Sequence, residues 1–241
     1  MGAREAPAPA TRQWWGPLAL SVLLLAYGNL NSLVPWELRS RYLLIANLAL
    51  LTLLLFEAVR ISGFSWSSLG FGGANVWRSA SLGTGFAVLL AATPVAFLSV
   101  APSVTGEPIE YGDIGELSAG AFALRMALWE PLGTAFFEEA AFRGVLYAKV
   151  AAASSELRAV WLSSAVFGLW HGVITSRTVI ESDFVDIRWL LPPVIALCLA
   201  GTAFGGLVFA FLRLRTGHIA GPFMVHWLTV ALMSLAVWAR A

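Results

Sequence analysis

Long apolar runs constrain this chain more than any other feature of its sequence. Residues 14–34, 42–59, 79–100, 157–174, 189–212 and 217–238 are each long and apolar enough to cross a bilayer as a helix. A further helical stretch, 119–151, is too long for one straight crossing, and Pro131 is expected to kink or break it. The expectation is an all-α, polytopic transmembrane bundle of about seven spans. One Gly- and Ser-rich segment, 61–78, should lie on the interface with Phe64, Trp66, Leu69, Phe71 and Trp77. The first run is longer than a signal-peptide core and no small-residue cleavage site follows it, so it is expected to stay as a helix.

Composition agrees: 59% of the 241 residues are hydrophobic and 12% are charged, against about 25% charged in soluble domains. The net charge of +1 provides no basic field for nucleic acid. The expected surroundings are the lipid bilayer of the cell (inner) membrane. Tryptophans near the ends of runs, among them Trp14, Trp15, Trp36, Trp161, Trp189 and Trp238, suit interfacial belts. The single cysteine, Cys198, lies in an apolar run and reads as a small buried residue. With the N-terminus cytoplasmic, eight basic residues (Arg4, Arg12, Arg60, Arg78, Lys149, Arg158, Arg213, Arg215) fall inside and five (Arg39, Arg41, Arg177, Arg188, Arg240) outside. The loop 101–118 then falls outside. It carries Glu107, Glu110, Asp113 and Glu116 and no basic residue. No internal repeat divides the chain, so 1–118 (N-terminal spans and the interfacial segment) and 119–241 (the helical core holding the polar residues) are expected to form one membrane domain.

Within 119–151, Glu138, Glu139 and Arg143 stand among apolar neighbours. At mid-membrane each charge costs about 2.5 to 3.5 kcal/mol, so the three together cost about 7 to 10 kcal/mol. They must face protein or a wet cavity, which marks them as a candidate site. Two further polar groups sit in later spans, His171 and His226. Counted at about 1.5 Å per residue, Glu138 lies about 16 Å from Lys149, His226 about 16 Å from Arg215, and His171 about 21 Å from residue 157. Two imidazoles and a carboxylate from three helices therefore reach similar depth. Because i and i+4 differ by only about 40° around a helix, Glu139 shares a face with Arg143 and Glu138 points elsewhere. On this reading Glu139 and Arg143 pair, and Glu138 is the candidate general base. Arg125 and Glu130 could line the same cavity from the kinked half of 119–151, and their role is left open. Glu57 beside Arg60, and His218, read as interfacial. Gly201, Gly205 and Gly206 read as a close-packing motif.

The order Glu138-Glu139-x-x-x-Arg143, Phe167-x-x-x-His171 and His226 resembles the intramembrane CAAX-protease and bacteriocin-processing family (CPBP, or Abi) over residues 119–240. The resemblance implies a glutamate-dependent membrane endopeptidase acting on a membrane-associated protein or peptide. Glu138 and His171 would activate water and His226 would stabilise the oxyanion. Glu139, Arg143 and Phe167 would support them. No metal or cofactor is expected on this reading, although two histidines and a glutamate also form a known zinc set. One position departs from the family pattern: Val230 stands where an Asn is usual, four residues after the last histidine. Valine cannot donate a hydrogen bond. Either another donor substitutes, or the chain is a catalytically degenerate member acting as a membrane binding, immunity or scaffold protein. A transporter is disfavoured, because no paired broken helices recur in two matching halves.

Overall fold

The computed structural model describes residues 10–73, 75–105, 114–181 and 188–240. Among them all regular structure is helical. Helix α1 spans Ala10–Leu33, α2 Trp36–Phe56 and α3 Val76–Thr105. Three short helices follow, α4 (Ala119–Leu124), α5 (Phe136–Glu139) and α6 (Tyr147–Ala153). They are joined by π-helical turns at Arg125–Ala135 and Ala140–Leu146. Then come α7 (Glu156–Trp170), α8 (Gly172–Glu181), α9 (Leu191–Thr216) and α10 (Ala220–Trp238). The acids Glu107, Glu110 and Asp113, and Arg4 at the N-terminus, lie outside the described residues.

Five segments are long and apolar enough to cross a membrane: Trp14–Leu33, Trp36–Ile61, Val76–Ala96, Arg188–Thr216 and Ala220–Trp238. The pair α7 and α8, bent by 42°, makes a sixth if taken as one span. Their outer faces carry Val22, Ile45, Leu53, Leu89, Leu197 and Phe204, all more than half exposed. In a helix whose backbone is internally satisfied, such a surface suits lipid tails rather than water. The protein is an integral membrane protein.

The remaining expected helical stretch, 119–151, behaves differently. Pro131 does not break it. The stretch around Pro131 widens into π turns, and the helical run continues to Ala153. Proline removes a backbone N–H and crowds the carbonyl four residues back, and a wider turn accommodates both. Backbone groups loosened this way need other partners. Asn47 on α2 donates to the Gly133 carbonyl at 2.6 Å and accepts from Tyr27 Oη on α1 at 2.6 Å. Every residue from 137 to 150 is buried. The run is thus the central post of the bundle, packed by Leu24, Leu54, Phe167, Trp170, Phe209 and Val225 from five other helices.

Close crossings depend on glycine at a few places. A Cβ on Gly28 would strike the Trp170 indole at 2.5 Å, and one on Gly221 would meet the Ser79 carbonyl oxygen at 2.8 Å. In the expected motif on α9 only Gly206 packs tightly: its Cβ would come within 3.0 Å of Arg143, whereas Gly201 faces open space.

Residues 62–73 form a loop, with Gly63, Gly70 and Gly73 at positive φ. It is fastened by the buried Leu69, by Ile219 N–H donating to the Gly70 carbonyl (3.0 Å), and by Arg213 Nη2 donating to the Ser68 carbonyl (2.8 Å). Glu57, at the end of its span, pairs with Lys149, whose Nζ lies 2.9 Å away. Two expectations need correction. Cys198 is exposed, because that part of α9 faces outward. Helix α3 extends to Thr105, several residues into the expected loop.

Candidate active site

The site forms where α5, the end of α7, α9 and α10 meet. Glu139 and Arg143 are both completely buried and pair at 3.1 Å across one turn. Arg143 also donates to the Gly206 carbonyl on α9 at 3.1 Å. Its guanidinium lies over the Phe167 ring at 4.2 Å and the Phe209 ring at 5.0 Å, a setting that suits a delocalised cation. The same Glu139 oxygen, Oε1, accepts from His226 Nδ1 at 2.9 Å. One carboxylate oxygen therefore holds a cation of its own helix and an imidazole of α10. Phe209 stacks on the His226 ring at 5.3 Å, and Trp227 Nε1 donates to the Met126 carbonyl at 2.7 Å. These contacts fix the rotation of α10 around His226.

Glu138 points to the other side, as helical geometry requires. Its Oε2 lies 3.8 Å from His171 Nε2 and 3.9 Å from His226 Nε2. Both exceed a hydrogen bond, and Oε2 has no direct partner although it is buried. His171 Nδ1 is 2.9 Å from the Phe167 carbonyl. A carbonyl only accepts, so Nδ1 carries a proton, and the tautomer this selects has its lone pair at Nε2. Phe167 thus meets the site twice, through this carbonyl and through its ring, 4.7 Å from the His171 ring. His226 Nδ1, facing a carboxylate, likewise carries its proton. Donation from His226 Nε2 then requires the doubly protonated ring, whose charge Glu139 balances.

His171 does not lie within a continuous helix, as the sequence suggests. It occupies the joint between α7 and α8 with φ −85° and ψ 7°. Arg125 and Glu130 approach each other at 3.7 Å in the first π stretch, and Arg125 lies 5.2 Å over the Trp36 ring. Thr229 Oγ1 is buried without a hydrogen-bond partner, one residue before Val230. No spacing in the sequence marks the roles of Phe209 and Asn47, and Gly206 stands out there only as part of a small-residue motif.

The three atoms that converge, Glu138 Oε2, His171 Nε2 and His226 Nε2, also allow the zinc reading to be weighed. Tetrahedral zinc with bonds of about 2.0 to 2.1 Å would hold its ligand atoms about 3.3 Å apart. The carboxylate stands farther than that from both imidazoles. The observed spacing lies between that value and the about 4.6 Å that ideal tetrahedral hydrogen bonds to one water would set, so either occupant asks for a small shift.

A model of the type II CAAX prenyl endopeptidase family, Rce1-like, matches residues 120–232. No curated protein and no solved structure matches the chain. The segment that carries Glu138, Arg143, His171 and His226 is thus similar to the Rce1-like family of type II CAAX prenyl endopeptidases.

Proposed function

We propose that the protein is an intramembrane endopeptidase that cleaves a peptide bond in a membrane-associated protein, with a prenylated C-terminal CAAX sequence as the substrate class the family suggests. The observation that carries this reading is the unpartnered Glu138 Oε2 between two imidazole Nε2 atoms. A water there hydrogen-bonds to Glu138 and His171. Glu138 takes its proton as the oxygen attacks the scissile carbonyl, and His226 donates from Nε2 to the oxyanion. Collapse of the tetrahedral intermediate breaks the C–N bond, and the proton held on Glu138 passes to the leaving amine. Burial excludes bulk water and keeps the charges strong.

The protein is purified in micelles and given a farnesylated CAAX peptide, with its unprenylated twin as comparator. Glu138→Gln and His171→Ala are each expected to reduce turnover by about 10² to 10⁴, the usual contribution of a general base. Full turnover in either variant removes the assignment. The reading includes no metal, so 1,10-phenanthroline should leave activity unchanged; inhibition reversed by added zinc would replace the mechanism with a metal one. It also includes a cytoplasmic N-terminus, tested by labelling single cysteines from either side after Cys198→Ser. A second reading, binding without turnover, is favoured by Val230 alone. Peptide binding without cleavage, unaffected by Glu138→Gln, would support it.

A further inference from the structure

The break in the helix at His171 is held open by a residue from the first helix. In an unbroken α-helix the Val173 N–H would bond directly to the Leu169 carbonyl, four residues back. Here the carboxamide of Asn29 stands between them. Asn29 Nδ2 donates to the Leu169 carbonyl at 3.1 Å, and Val173 N–H donates to Asn29 Oδ1 at 2.8 Å. The second Nδ2 proton goes to the Leu25 carbonyl of its own helix at 2.9 Å. A side chain inserted into the backbone ladder is a recognised cause of helix bending, and here it spans the residue at the 42° joint. The neighbourhood is shaped for it. Gly28 lets α1 lie against Trp170, and a Cβ on Gly172 would sit 3.1 Å from Asn29 Oδ1. One turn further, Arg177 Nη1 donates to the Ser32 carbonyl at 2.9 Å, so α1 grips both α7 and α8.

We infer that Asn29 is a positioning residue for His171: by replacing one backbone hydrogen bond with two of its own, it sets the bend that aims the imidazole Nε2 at Glu138. Asn29 lies outside the segment 120–232 matched by the family model. The inference rests on the proposed function only for its effect on turnover; its geometric part does not.

The test uses the full-length protein with Asn29→Leu, which keeps volume and removes all three bonds. Asn29→Asp keeps the acceptor at the start of α8, where negative charge is favourable, and loses the donor. Two readouts are taken. The first is peptide cleavage, in which Asn29→Leu should lower kcat by about 10 to 100-fold, in the range seen when a supporting partner of a functional histidine is removed. KM should change by less than about twofold, since a misplaced catalytic group costs rate rather than binding, and Asn29→Asp should fall between wild type and Asn29→Leu. The second is carbethoxylation by diethyl pyrocarbonate, followed site by site by mass spectrometry at the three histidines. Asn29→Leu should change the rate at His171 and leave those at His218 and His226 as in wild type. Wild-type kcat together with wild-type His171 reactivity overturns the inference. So does a loss of kcat in which all three histidines change together, which is what a general loosening of the fold would produce. If even the wild type fails to cleave while Asn29→Leu selectively alters His171 reactivity, the proposed function falls and the positioning role stands.

Discussion

Removing the Arg143 charge alone should be worse than removing both charges of its pair. Glu139 and Arg143 are both completely buried, and Glu139 Oε1 serves Arg143 and His226 at once. In Arg143→Met the carboxylate keeps only His226, and a buried charge stripped of its partner typically costs about 3 to 5 kcal/mol. In the double variant Glu139→Gln/Arg143→Met no charge is stranded, and the Gln carbonyl can still accept from His226 Nδ1. What is lost between helices is then chiefly the bond from Arg143 to Gly206. Interhelical polar contacts in membranes average about 0.6 kcal/mol and reach about 1.7 kcal/mol. The double variant should therefore be about 1 to 4 kcal/mol more stable than Arg143→Met. The assay is reversible unfolding by SDS in mixed micelles, followed by far-UV circular dichroism and tryptophan fluorescence. In that unfolded state the helices persist and the pair, four residues apart on one helix, partly survives, so these figures are upper values. A double variant less stable than Arg143→Met would refute the stranded-charge argument.

Gly206→Ala should cost about 1 to 3 kcal/mol by overpacking against Arg143, Phe167 and Ser164, whereas Gly201→Ala, facing open space, should be neutral in the same unfolding assay. His218, between α9 and α10, accepts from the Ala220 N–H through Nδ1 at 2.9 Å, and burial, then the nearby Arg213, hold its pKa below the ordinary value. The stability it provides is present above about pH 6.5 and is lost as pH falls through its lowered folded pKa, so wild type should lose melting temperature on acidification more steeply than His218→Ala. Val230→Asn restores a donor on the His226 face of α10 and should raise kcat by roughly tenfold, the value of one net hydrogen bond of about 1.4 kcal/mol; an unchanged kcat would show that the position does not reach the oxyanion.

The division between Glu138 and Glu139 was legible because it depends only on angles within one helix. The wider turn at Ala140–Leu146 still leaves positions 139 and 143 on a common face. The meeting of Glu138 with two histidines was legible from depth, a one-dimensional count along three helices. Contacts that depend on how helices rotate against each other were not. His226 reaches Glu139 across 87 residues, and no spacing rule relates them. The bend at His171 was hidden because the apolar run continues through it, while the amide responsible is on α1. Cys198 was misplaced for a reason peculiar to membranes: lipid-facing and core-facing positions are both apolar, so hydrophobicity alone does not say which way a residue of α9 points.

The π turns in 125–135 and 140–146 carry a consequence for length rather than for chemistry. A π bulge stores an extra residue inside a helix of nearly unchanged span. Deleting one residue from 144–146, beyond Arg143, would let the helix relax to α geometry with the residues on either side close to their present phase and reach. Glu138 and Glu139 would keep their places, and Lys149 would stay near Glu57 and Ser62, which it now binds at 2.9 Å each. The same deletion in the regular α-helix 147–153, which has no stored residue to give up, would turn everything beyond it by about 100°. The wide turns are therefore the part of the central post where a change of length should do least harm.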